Sequence, residues 1–96
     1  MKPSQALLAH RDELCRIVEK FGVTRPRVFG SVASGQDDDG SDLDLLVDPS
    51  ASTTLFTIAA LQDEAEQLLG VRVDVLTPKA LPKRFRDNVL AQSVPL

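Results

Sequence analysis

The sequence predicts an α+β fold: a small mixed three-stranded sheet packed with helices. Three observations predict it. Apolar residues recur at helical spacing in the segments around 4–21, 55–69 and 81–92. Between them lie three short runs that read as strands, Val28-Phe29, 42–48 and 71–76. Gly22, Gly70, Pro49 and Thr77-Pro78 punctuate the boundaries.

The totals set limits before any motif is considered. Ninety-six residues suffice for one hydrophobic core and not two, so 1–96 is expected to be a single domain. With four Phe and no Trp or Tyr, that core must be largely aliphatic. A formal net charge of −3 argues against direct nucleic-acid binding, which needs a basic surface to release counterions. Cys15 stands alone, which excludes an intrachain disulfide and a cysteine-based metal site. No signal-peptide pattern or membrane-length apolar run is present, so a cytoplasmic protein with no membrane partner is expected.

The elements follow in chain order. Ser4 is placed to cap a helix that runs to about Phe21, with Leu7, Leu14, Val18 and Phe21 on one stripe and Leu8 and Cys15 widening it. Gly22 stops it. Residues 23–27 read as a connector containing Pro26, and Val28-Phe29 as a short strand ending at Gly30-Ser31. One helical turn over 31–34 and a solvated loop over 36–41, including Asp37-Asp38-Asp39, precede the second strand, 42–48. Residues 50–54 offer helix caps. The helix after them should bury Leu55, Ile58, Ala59, Leu61, Ala65, Leu68 and Leu69, while Gln62 and Glu66 fall at helical spacing with Leu55, Ala59 and Leu69. In the third strand Val71, Val73 and Val75 share one face and Asp74 lies on the other. A last helix, with Leu81, Phe85, Val89 and Leu90 inward, ends before Pro95. The short link between the first two strands suits antiparallel pairing. The long helix between the second and third suits a parallel crossover.

The chemistry concentrates between Gly30 and Asp48. Residues 37–44 alone hold five Asp. Residues two apart on a strand share a face, so Asp42, Asp44 and Leu46 point one way while Leu43, Leu45 and Val47 point into the core. Asp74 should join the acidic face from the neighbouring strand. Three such carboxylates cannot all stay ionised without a cation, and an all-oxygen donor set suits two Mg²⁺ ions, or Mn²⁺, rather than Zn²⁺. Ions of this kind take their remaining ligands from substrate phosphates. Gly30-Ser31 is placed to cradle those phosphates, with a backbone free of Cβ and a hydroxyl and N–H groups as donors. Asp48, at the far end of the strand, reads as a strand-end partner rather than a ligand.

This pattern resembles the DNA polymerase β-like nucleotidyltransferases, whose signature is Gly-Ser, about ten residues, Asp-x-Asp, and a third carboxylate on a later strand. Gly30-Ser31, Asp42-Leu43-Asp44 and Asp74 carry the likeness. The short chain and its ending, Val73-Asp74-Val75-Leu76-Thr77-Pro78 and Ala91 to Leu96, resemble the minimal nucleotidyltransferase branch of HEPN/MNT toxin–antitoxin systems.

The resemblance implies the nucleotidyltransferase fold and an antitoxin that moves AMP from ATP to a tyrosine of a partner HEPN ribonuclease. Asp42, Asp44 and Asp74 would be the catalytic and metal-binding residues, and Gly30 and Ser31 would hold the β- and γ-phosphates. The family often carries Arg immediately before its second Gly, where this chain has Ser34. Lys79, Arg25 and Arg27 are the candidates to replace that charge. An alternative is an antitoxin that acts mainly by binding its toxin. A small-molecule or RNA-end acceptor would call for recognition domains beyond these 96 residues. The absence of any Tyr requires that a tyrosine acceptor be supplied in trans.

Overall fold

A computed structural model describes residues 1–96. The helical and strand periods produce the expected elements, with shifted boundaries. Helix α1 spans Pro3–Lys20, β1 Thr24–Phe29, the short helix α2 Gly30–Ser34, β2 Leu43–Asp48, α3 Leu55–Leu69, β3 Val73–Leu76, α4 Lys83–Gln92 and β4 Val94–Pro95. A 3-10 turn over Pro78–Ala80 links β3 to α4. No helix is long and apolar enough to cross a membrane.

The sheet is mixed and four-stranded, in the order β3-β2-β1-β4, where the sequence predicts three strands. β1 pairs antiparallel with β2 and β4, and β2 pairs parallel with β3. The extra strand is only two residues long. It forms because the end of α4 delivers Val94 beside Val28, and Leu96 N–H then donates to the Pro26 carbonyl at 3.1 Å. A run this short, containing a proline, carries no strand signal of its own.

β1 is also longer than the predicted Val28-Phe29. Pro26 is tolerated because the pairing with β2 shifts register between Thr24 and Arg27, and Arg25 sits there at φ 51.

One face of the sheet carries the main core. Leu43, Leu45 and Val47 of β2 and Val73 and Val75 of β3 meet Ala6, Leu7, Leu14 and Val18 of α1 and Leu61, Ala65 and Leu69 of α3. α3 starts with a reciprocal cap in which the Thr54 hydroxyl accepts from Thr57 N–H at 3.2 Å. It stops at Gly70, whose φ of 69° is the left-handed conformation that glycine adopts freely.

The predicted α3 stripe is too wide. Leu55 is 88% exposed and Ala59 is exposed, and the buried residues of the helix are Leu61, Ala65 and Leu69. α4 buries none of its residues; Phe85 is exposed, while Leu81 is buried in the segment before it. Arg86 ties α4 down, donating to the Pro78, Lys79 and Leu81 carbonyls.

Ser4 is not the cap of α1, which begins at Pro3. The Ser4 N–H instead donates to Asp37 Oδ2 at 2.8 Å. Asp37 is buried rather than solvated, and serves as a remote cap that ties the loop before β2 to the first helix. This hydrogen bond holds its carboxyl below the ordinary 3.8, against the opposing effect of burial. A depressed acid pKa stabilises the fold above the unfolded value and is lost as pH falls through the lower folded one. Asp37→Ala is therefore expected to cost about 1–2 kcal/mol at neutral pH, the worth of a helix cap. In thermal melts the gap from the parent protein should narrow progressively as the pH falls below 3.8 and through the lower folded value.

Candidate active site

The site is assembled by the pairing of three strand ends. β1 runs antiparallel to β2 and places Phe29 opposite Asp44, so the next residue, Gly30, turns directly over that carboxylate. β3 runs parallel to β2 and places Asp74 in register with Asp44. Neighbouring strands lie roughly 4.8 Å apart, so two acids in register share one patch of surface. That patch lies on the face away from α1 and α3. Further along the same face, Leu46 is fully buried and pairs in register with Leu76.

Gly30 is at φ +69, and a Cβ built on it would strike Asp44 Oδ2. The backbone conformation favours glycine here, and any Cβ would displace the free end of the Asp44 side chain. Gly30 also opens α2, whose first N–H groups have no partner inside the helix. Ser31 follows and is half-exposed. Gly30, Ser31, Ala33 and Ser34 form one wall of a cleft of about 680 Å³, which Gln36 and Gln92 complete. The Ser34 hydroxyl turns back to the Ser31 carbonyl at 3.2 Å.

The electrostatics follow from this packing. Burial, then the charge of Asp74, then that of Asp42 push the Asp44 carboxyl above the ordinary 3.8. Asp42 precedes β2 rather than opening it, and its Oδ1 lies 3.9 Å from Arg72 Nε. The oxygen donors fit a hard divalent cation. They do not converge into a ready three-ligand cage: no three acidic, His or Cys side chains are grouped closely enough to enclose an ion. The three acids stand on separate backbone positions, one before β2 and two on neighbouring strands, and phosphate oxygens or water would complete the coordination.

Of the predicted residues, Gly30, Asp44 and Asp74 come together, with Ser31 adjoining and Asp42 at the edge. None of the predicted substitutes for the missing arginine lines the cleft. Thr24 pairs with Asp48, so Arg25 lies toward the opposite end of β1 from Gly30, and Arg27, mid-strand opposite Leu46, turns its side chain to the same Asp48. Arg27 is buried and donates to Asp48 Oδ1 at 2.9 Å and to the Arg25 carbonyl at 2.7 Å. Arg25 also pairs with Asp48, at 3.6 Å. Asp48 is thus the strand-end partner the sequence indicates. Lys79 is exposed on the 3-10 turn and does not line the cleft. The cleft wall carries no cationic side chain. Gln36 and Gln92 escape sequence reasoning because the loop after α2 and the end of α4 line one cleft only in the folded chain.

The chain matches the nucleotidyltransferase domain family over residues 9–95. Protein adenylyltransferase MntA of Thermococcus cleftensis is 38% identical over 88 residues, covering 92% of this chain and 86% of the relative. A solved structure of a minimal nucleotidyltransferase superposes with a TM-score of 0.87 at 42% identity, covering 97% of this chain and 95% of that one. A solved toxin–antitoxin complex with AMP-PNP superposes with a TM-score of 0.75. At 16% identity, covering 88% and 69% of the two chains, it shows the shared fold alone.

Proposed function

The chain belongs to the nucleotidyltransferase domain family, and on that premise we propose that it is an antitoxin that adenylylates its toxin. The reaction is transfer of AMP from ATP to a tyrosine hydroxyl of a partner HEPN ribonuclease. The observation that carries this reading is the register of Asp44 with Asp74 beneath Gly30. The name of the Thermococcus relative and the toxin–antitoxin complex with AMP-PNP support adenylate transfer and a toxin partner.

In the proposed reaction the acceptor hydroxyl oxygen bonds to the α-phosphorus. The bond from that phosphorus to the bridging oxygen breaks, and pyrophosphate leaves with the electron pair. Asp74 takes the hydroxyl proton. Gly30 keeps the backbone low enough for the triphosphate to approach Asp44. Ser31 and the first N–H groups of α2 hold the β- and γ-phosphates. Asp42, Asp44 and Asp74 would hold two Mg²⁺ ions, or Mn²⁺, which neutralise phosphate charge and acidify the attacking hydroxyl. Catalysis is then mainly alignment and charge neutralisation.

The uncharged wall of the cleft favours a second reading, in which the antitoxin inhibits by binding and transfers little or nothing. Incubating the protein with its toxin, ATP and Mg²⁺ and weighing the toxin decides between them. The expected result is a toxin heavier by one or more adenylates and inactive as a ribonuclease. Stoichiometric inhibition without ATP and without added mass would establish the binding reading.

A further inference from the structure

β3 is an edge strand. It has four residues, and β2 is its only neighbour. Such an edge presents unpaired N–H groups on its outer side and frays more readily than an interior strand. In β3 those groups belong to Val73 and Val75, and neither is left open. The Val73 N–H donates to Glu66 Oε2 at 3.0 Å and the Val75 N–H donates to Gln62 Oε1 at 3.1 Å. Gln62 and Glu66 are four residues apart on α3 and therefore project from one side of the helix. Together they grip the backbone immediately before and after Asp74. On the other side, β2 holds Asp74 in register with Asp44.

The Asp74 side chain is itself exposed, so its direction depends on the strand beneath it. We infer that Gln62 and Glu66 are positioning residues that fix the backbone on both sides of Asp74, so that its carboxylate faces the same substrate and cation as Asp44. The inference rests on the proposed role of Asp74. It explains why two polar side chains occupy a helix face turned toward the sheet. It also assigns α3, none of whose residues lines the cleft, a part in the site.

The test compares Gln62→Ala, Glu66→Ala and the double variant with Gln62→Glu and Glu66→Gln, which keep an acceptor oxygen. Each is titrated with Mn²⁺ in the presence of a non-hydrolysable ATP analogue, and kcat and KM for ATP are measured well below the melting temperature. Amide NMR shifts of Val73 and Val75 report whether the two hydrogen bonds are made. The double alanine variant should bind Mn²⁺ about tenfold to a hundredfold more weakly and lose kcat in proportion, the usual effect of removing the groups that orient a ligand. KM for ATP should change little, and the oxygen-keeping variants should behave like the parent. Unchanged Mn²⁺ affinity and kcat in the alanine variants, whose Val73 and Val75 amides have shifted, would overturn the inference; the single variants decide if the double one does not fold. Asp74→Asn separates the two levels. If it leaves Mn²⁺ affinity unchanged, the role of Asp74 falls and the inference with it. If it weakens binding while the alanine variants do not, only the inference falls.

Discussion

Asp44→Asn is expected to reduce adenylate transfer by about a hundredfold or more, a loss of at least ~3 kcal/mol in barrier terms. The same substitution is expected to raise the melting temperature of the protein without metal or nucleotide at neutral pH. Both expectations have one cause. Burial and the charges of Asp74 and Asp42 hold the Asp44 carboxyl above 3.8, so its ionised form is costly in the folded state. For a raised acid pKa that cost is present in full above the folded value and is relieved as pH falls toward the unfolded one. The gain from Asn should therefore be largest at neutral pH, shrink as the pH falls through the raised folded value, and be lost below 3.8. Transfer is read from the mass of the toxin, and stability from melts across the pH range. Near-parental transfer by Asp44→Asn would remove this residue from the catalytic set.

Gly30→Ala should cost far more activity than stability. A methyl group at this position meets Asp44 Oδ2, the free end of a flexible side chain. The fold can yield there at small cost, leaving mainly the strain of a non-glycine residue at φ +69, about 1–2 kcal/mol. The atom that gives way, however, is one proposed to face substrate. Transfer is expected to fall by about a hundredfold or more, equivalent to at least ~3 kcal/mol of barrier, in a protein that still melts cooperatively. An alanine variant with full activity would show that Asp44 need not occupy its present position.

Those two residues were legible before folding. Gly-Ser at the end of a short strand and Asp-x-Asp at the start of the next carry their meaning in spacing alone. Asp74 was legible because strict alternation over 71–76 put it opposite three valines. The misreadings share a different origin. Arg25 and Arg27 are close to Gly30 along the chain, but an extended strand carries them away from it and into pairing with Asp48. Asp37 resembles its two exposed neighbours in sequence, but the fold brings the Ser4 amide, at the start of α1, beside it. Leu55 continues the apolar stripe of α3 in sequence, yet the core reaches only the later turns at Leu61, Ala65 and Leu69.

The amino-acid sequence by itself determined the order of helices and strands, the Gly30-Ser31 turn, the acidic pair and its distant third member. Those properties are local, fixed by backbone sterics at glycine and by the two-residue and 3.6-residue periods. Tertiary structure decided which charges are used up, which loop is anchored, that a fourth strand closes the sheet against β1, and that α3 grips the strand bearing Asp74. These depend on pairing between segments far apart in the chain, where register and distance exist only after the core has formed.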